Sequence, residues 1–274
     1  MRRIRITVAY DGTDYHGWQV QPELKTIQGT LEQVFGGIEG RPVHVAGSGR
    51  TDAGVHALAQ VAAVDMENRI PLDNLRRAAN RLLPPDIRVT RVEEAVADFN
   101  PRYDAKRKTY EYRIFRGEIC PPFERRYVTH HPYPLRVEDM LEAATLFEGE
   151  HDFSAFAASD ERDELGASKE LAQNEVRREA VPDVDGGARR TLCASKVRTV
   201  FCSKLSLEAE RLIYRVTGSG FLKHMVRNMV GVLLEVGKGN VDRNGVLARL
   251  EPGCSIPPGP TAPARGLFLI SVEY

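Results

Sequence analysis

The sequence predicts an α+β chain of two tandem lobes, and three observations carry that expectation. Its 274 residues are long for one core and comfortable for two compact units. Strand-like and helix-like periodicities run β-α-β-β-α-β in the first half and repeat that order in the second. Hydrophobic residues make up 42% and charged residues 28%, an ordinary globular composition that excludes wholesale disorder or a collagen-like fibre. Two copies of the split β-α-β unit suggest ferredoxin-like lobes over 1–104 and 105–274. Their sheets would join into one mainly antiparallel sheet with a central cleft.

In the first half, Ile4, Ile6, Val8 and Tyr10 alternate as a period-two strand. Thr26 to Ile38 carries Ile27, Leu31, Val34, Phe35 and Ile38 at helical spacing. Pro42 to Ala46 reads as a short strand and Leu58 to Met66 as a buried one. Pro71 opens a helix whose inner face is Leu72, Leu75, Ala79 and Leu82, and Pro84-Pro85 stops it. Ile87 to Val96 closes the half as a strand.

The second half opens on a strand from Lys108 to Phe115 and continues with a helix from Val137 to Phe147. Val197 to Ala209 and Leu212 to Val216 read as strands. Phe221 to Val236 reads as one amphipathic helix with Phe221, Met225, Met229 and Leu233 as its apolar stripe. A shorter helix near Gly245 to Leu250 and a strand from Leu267 to Tyr274 complete the order. Two stretches stand outside it. Residues 157–196 are charged and lack a sustained apolar period, so they read as an insertion. The proline-rich run from Ser255 to Pro263 reads as a rigid spacer across the surface.

The 38 Lys and Arg balance 38 Asp and Glu, so a nucleic-acid partner would need a local basic groove and not a global field. Cys120, Cys193, Cys202 and Cys254 form no C-x-x-C pair, and the seven histidines show no H-x-x-x-H spacing. That pattern predicts reduced thiols and no metal site. No signal-peptide core follows Met1, and no run approaches the roughly 18 apolar residues of a membrane span. The expected location is the cytoplasm, away from membranes.

Three segments stand out chemically. Gly47-Ser48-Gly49-Arg50-Thr51-Asp52-Ala53-Gly54 is neither a P-loop nor a dinucleotide fingerprint, because no Gly-Lys-[Ser/Thr] and no third spaced glycine follow. It holds Arg50 and Asp52 on a tight loop, where Asp52 is either a turn-capping residue or a presented carboxylate. From Arg102 to Arg116, six basic residues and three tyrosines face only Asp104 and Glu111. Such a run suits phosphates and an unstacked base, or is a solvated face beside core tyrosines. In the third segment, Lys223 and Arg227 fall one helical turn apart with His224 and Asn228 beside them. Arg227 is either a rim arginine reaching water or the partner of a carboxylate, and Asp52 is the obvious candidate.

Taken together, these segments resemble the tRNA pseudouridine synthase A family. Residues 47–57 look like its G-x-G-R-T-D-x-G-V-H-A signature, and Tyr10-Asp11-Gly12-Thr13 with Gly17-Trp18-Gln19 like its opening strand and loop. Thr26-Ile27-Gln28-Gly29 is similar to its first helix start, and Lys108-Thr109-Tyr110-Glu111-Tyr112 to its [KR]-x-Y-x-Y strand. Phe221-Leu222 with His224-Met225-Val226-Arg227-Asn228 resembles its F-L-x-H-M-V-R-N segment, and Pro263-Ala264-Arg265-Gly266-Leu267 its P-A-x-G-L. Asn100 and Pro101, in Phe99-Asn100-Pro101-Arg102 where F-H-A-R is commoner, and Ala157 depart from the commoner family residues.

The resemblance implies an isomerase that turns uridine into pseudouridine at positions 38, 39 and 40 of the tRNA anticodon stem-loop. It implies no cofactor or metal, tRNA as partner, and a homodimer. Carried over by motif, Asp52 is the catalytic nucleophile, Arg227 its partner, Tyr110 the residue stacked on uracil, and Arg50 the residue at the displaced nucleotide. The competing readings are a non-catalytic tRNA-binding protein and a uracil glycosidase, for which a second flanking carboxylate would be the mark.

Overall fold

A computed structural model describes residues 1–158, 195–257 and 259–274, so nearly all of the segment read as an insertion lies outside the described residues. The first half contains β1 (Arg2–Tyr10), α1 (Ile27–Glu39), β2 (Val45–Gly47), β3 (His56–Met66), α2 (Leu72–Leu82) and β4 (Ile87–Glu94). The second contains β5 (Arg107–Phe115), β6 (Thr129–His130), α3 (Val137–Thr145), β7 (Gly149–Asp152) and β8 (Val197–Glu208). It continues with β9 (Arg211–Gly218), α4 (Met225–Lys238), α5 (Arg243–Ala248) and β10 (Leu267–Glu273).

Local signals explain most boundaries. Thr26 caps α1 by accepting from the Gly29 amide, a contact of about 1 kcal/mol. Pro71 sits at the cap of α2, one position earlier than the first-turn placement expected from spacing. The largest difference is at α4, which starts at Met225 and not at Phe221. His224 has φ +62°, a left-handed backbone that cannot continue a right-handed helix. Phe221 is therefore off the helical stripe, and Lys223 precedes the helix instead of facing Arg227 across one turn.

One ten-stranded sheet runs β4-β1-β3-β10-β5-β9-β8-β7, with β2 on β3 and β6 on β5. Its ladders are antiparallel except for β3 with β10 and β5 with β6. The order β4-β1-β3-β2 in the first half corresponds strand for strand to β10-β5-β9-β8 in the second. The halves meet where Phe268 and Leu269 of β10 pair with His56 and Ala57 of β3. This seam lies four residues beyond Asp52, so the loop before β3 opens at the join.

A continuous apolar core spans both halves. Ile4, Ile6 and Val8 of β1 meet Leu31 and Phe35 of α1 and Leu75 of α2, while Leu212, Tyr214 and Val216 of β9 lie in the same core as Met229, Val232 and Leu233 of α4. Replacing one such buried leucine by alanine costs about 2–5 kcal/mol. The proline-rich run does more than span surface: a Cβ on Gly231 of α4 would lie 1.8 Å from Pro260 O. Only glycine lets the strap lie that close, and Thr261 Oγ1 then donates to buried Asn228 at 2.7 Å.

Candidate active site

The loop between β2 and β3 is held from every side by bonds that spare the Asp52 carboxylate. Thr51 bonds Tyr10 through the two hydroxyls at 2.8 Å, and its carbonyl accepts from Trp18 N at 3.0 Å. Gly17 makes that approach feasible: it has φ +85°, and a Cβ there would lie 2.5 Å from Thr51 O. Buried Gln60 accepts from Ser48 Oγ and donates to Gly49 O at 2.9 Å. From the other half, Lys108 Nζ of β5 donates to Ser48 O. A loop so clamped presents its side chains at little entropic cost on binding.

The far side of the same loop is pinned through His56. Its Nδ1 lies 3.1 Å from both Gly12 N and Asp11 Oδ1, and its Nε2 lies 3.0 Å from Arg126 O. The ring stacks on Phe268 with centroids 4.7 Å apart. Burial lowers its pKa, with the neighbouring Asp11 carboxylate opposing that shift. The neutral ring therefore serves as a buried connector across the seam.

Asp52 projects from this frame toward the start of α4. Its Oδ2 accepts from Arg227 Nη1 at 2.9 Å, and His224 Nε2 lies 3.4 Å from the same oxygen. Among the described residues, no such contact falls on Oδ1. Arg227 is itself steered: its Nε donates to Ala262 O at 2.8 Å, and its carbonyl accepts from Ala262 N at 3.2 Å. The strap thus aims the guanidinium, a role invisible in its proline-rich composition. The side chains of Arg227 and Asp52 keep only 16% and 23% exposure, so the pair is part-desolvated and loss of either partner strands a charge.

The basic-aromatic run divides across the sheet because strand side chains alternate. Lys108, Tyr110 and Tyr112 share one face of β5. Arg107 and Arg113 point to the other, where Arg113 pairs with Glu111 and lies 3.9 Å above the Phe268 ring. The run is therefore not one continuous positive strip. Tyr112 is core, bonded to Thr129 and to Pro263 O. Tyr110 is buried with its ring edge-on to Phe221, centroids 5.1 Å apart. Burial, then the nearby Tyr10 and Asp52, raise its phenol pKa, so at neutral pH it is an uncharged ring and a poor base. Arg50 stands exposed at the rim with Nε donating to Gln19 at 3.1 Å.

Lys108 is a site residue that the spacing alone does not single out, although it lies two positions from Tyr110. Burial, and then the charge of Arg102, bring its ammonium down from 10.5 to about 8. The native state releases this proton before the unfolded chain does, so unfolded molecules bind more protons between those values and stability gains as pH rises through them. Below about pH 8 the full cost of the buried cation is present. Relative to Lys108→Met, the wild type is expected to gain up to about 3 kcal/mol in urea unfolding across that window. A pH-independent difference would show that Lys108 titrates as an ordinary surface amine.

No helix among the described residues is long and apolar enough to cross a membrane. A sequence profile described as tRNA pseudouridine synthase matches residues 6–104 and 143–274. Aligned end to end, the chain is 58% identical over 275 residues to a tRNA pseudouridine synthase A from Solibacter usitatus (strain Ellin6076), covering 100% of both chains. It is 38% identical over 274 residues to tRNA pseudouridine synthase A from Thermodesulfovibrio yellowstonii, again with 100% of both covered. The enzyme of that name from Caldicellulosiruptor bescii is 36% identical over 274 residues at the same coverage.

Proposed function

This chain belongs to the tRNA pseudouridine synthase family, and on that premise we propose that Asp52 is the nucleophile acting on a uridine flipped into the cleft at the join of the two halves. The chain is an isomerase that turns uridine into pseudouridine in tRNA. The proposed targets are positions 38, 39 and 40 of the anticodon stem-loop. The observation that carries the site reading is the Asp52–Arg227 contact, made between residues 175 positions apart and steered by the strap at Ala262.

In the reaction the N1–C1′ bond of the uridine breaks, the uracil turns, a C5–C1′ bond forms, the C5 proton leaves to water, and N1, freed from the sugar, takes up a proton from water. Atoms balance without a cofactor. Arg227 aims the Asp52 carboxylate, because its Nη1 donates a charge-assisted hydrogen bond to Oδ2 at 2.9 Å. Tyr110 supplies a neutral ring for the uracil to stack on, and Arg50 at the rim fills the space of the displaced nucleotide.

The strand order of each half supports two ferredoxin-like lobes, 1–104 and 105–274, with the cleft between them. Among the cations of β5, only Lys108 shares the Tyr110 face, so one neutral chain offers a short positive surface. A cytoplasmic homodimer would lengthen it along the tRNA. Light scattering that finds one chain per tRNA at working concentration would remove the dimer.

Tritium release from tRNA carrying [5-³H]uracil tests the function. Release with the strand intact, pseudouridine in the digest and no free uracil is expected. Free uracil would mean a hydrolytic glycosidase, and binding without release would mean an RNA-binding protein.

A further inference from the structure

His224 stands in a left-handed conformation that residues with a Cβ uncommonly adopt. Its φ of +62° and ψ of −4° are left-handed, it forms the N-cap of α4, and its side chain makes no capping bond there. A non-glycine residue in this region is strained, and such residues persist where the surroundings or the function demand them. Glycine would occupy the position without that cost. The helix itself gains nothing from the imidazole, since the bond that starts it, from Asn228 N to His224 O at 2.9 Å, is backbone only.

The turn does direct the side chain. Helical φ at this position would place residue 224 on the α4 cylinder; the left-handed turn instead brings Nε2 to 3.4 Å from Asp52 Oδ2. Arg227 Nη1 reaches the same oxygen from the next turn of the chain at 2.9 Å. A single hydrogen bond leaves a carboxylate some freedom to swing about Cβ–Cγ, and an imidazole nitrogen close to the same oxygen limits that swing. Both contacts fall on Oδ2, which leaves Oδ1 to face the reacting nucleoside.

We propose that His224 is a positioning residue for Asp52: its left-handed backbone aims an imidazole nitrogen at Oδ2 so that, together with Arg227, it fixes the carboxylate with Oδ1 toward the substrate. This rests on the reading of Asp52 as the nucleophile. At 3.4 Å the contact is long for an N–H···O hydrogen bond, and contacts of this kind tighten when substrate closes the site. Loss of one orienting donor lets the attacking atom drift, and a misplacement of about 1 Å costs on the order of 100-fold in rate.

The test compares wild type, His224→Gly, His224→Gln and Asp52→Ala in single-turnover tritium release, with tRNA affinity and Tm measured on each. His224→Gly relieves the backbone and is expected to keep Tm within a few degrees and Kd within about twofold. Its rate should fall by about 10- to 100-fold, rise again with added imidazole, and be partly restored in His224→Gln, whose amide nitrogen can reach Oδ2. Full rate in His224→Gly overturns the proposal. So does a rate loss that follows lost folding and that neither imidazole nor glutamine restores. An active Asp52→Ala would instead overturn the nucleophile reading beneath it.

Discussion

Replacing Asp52 by alanine is expected to abolish tritium release, by a factor of at least about 10⁴, while leaving tRNA affinity within about twofold. The size follows from the proposed role: a nucleophile has no substitute once removed, whereas binding is spread over many contacts. The fold should persist, because the bonds that hold the loop use Tyr10, Trp18, Gln60 and Lys108 and none uses the Asp52 side chain. What is left behind is the Arg227 guanidinium, still bonded through Nε to Ala262 O and partly reached by water. Asp52→Asn keeps the shape without the charge and should be as inactive. Should either variant lose cooperative unfolding, Asp52 would return to the alternative left open by its sequence context, a residue that caps a turn.

Arg227→Met should show a different signature, in which rate and stability fall together. The variant strands the Asp52 carboxylate in a part-desolvated site and leaves the Ala262 carbonyl without its side-chain donor. Leaving one such group unpaired costs about 1–3 kcal/mol, and the misaimed carboxylate should cost on the order of 100-fold in single-turnover rate. Lysine at 227 restores the charge but not two contacts from one planar group, so Arg227→Lys should recover stability better than rate. The double variant Asp52→Ala/Arg227→Met should be more stable than the sum of the single losses predicts, since neither charge is left alone. Strict additivity in urea unfolding would show that the two groups do not interact.

The strands of the first half, the start of α1 and the unusual loop at 47–54 were all legible in the chain itself. Period-two apolar residues, the Thr26 cap and closely spaced glycines are local features whose consequences are local. The α4 boundary was not, because Phe221 to Val236 carries an unbroken helical period while the backbone turns left-handed at His224. The basic run from Arg102 to Arg116 misled for another reason: counting charge ignores the alternation that sends Lys108 and Arg113 to opposite faces of β5. The strap was hidden by its composition, since proline-rich sequence looks the same whether it crosses open surface or lies against Gly231.

By itself, then, the sequence determined the kinds of element and their order apart from the short strands β6 and β7, and it singled out the side chains proposed to carry chemistry, because propensity, capping and motif are properties of neighbouring residues. Tertiary structure alone decided which distant groups meet. Asp52 and Arg227 are 175 residues apart, and they touch because β10 pairs with β3 at His56 while α4 packs beside that seam under the strap. The second contact to Asp52 depends on a single backbone torsion at His224. Contacts of that range have no local pattern: they arise when two separately specified surfaces bury against each other, and their geometry is set by that packing.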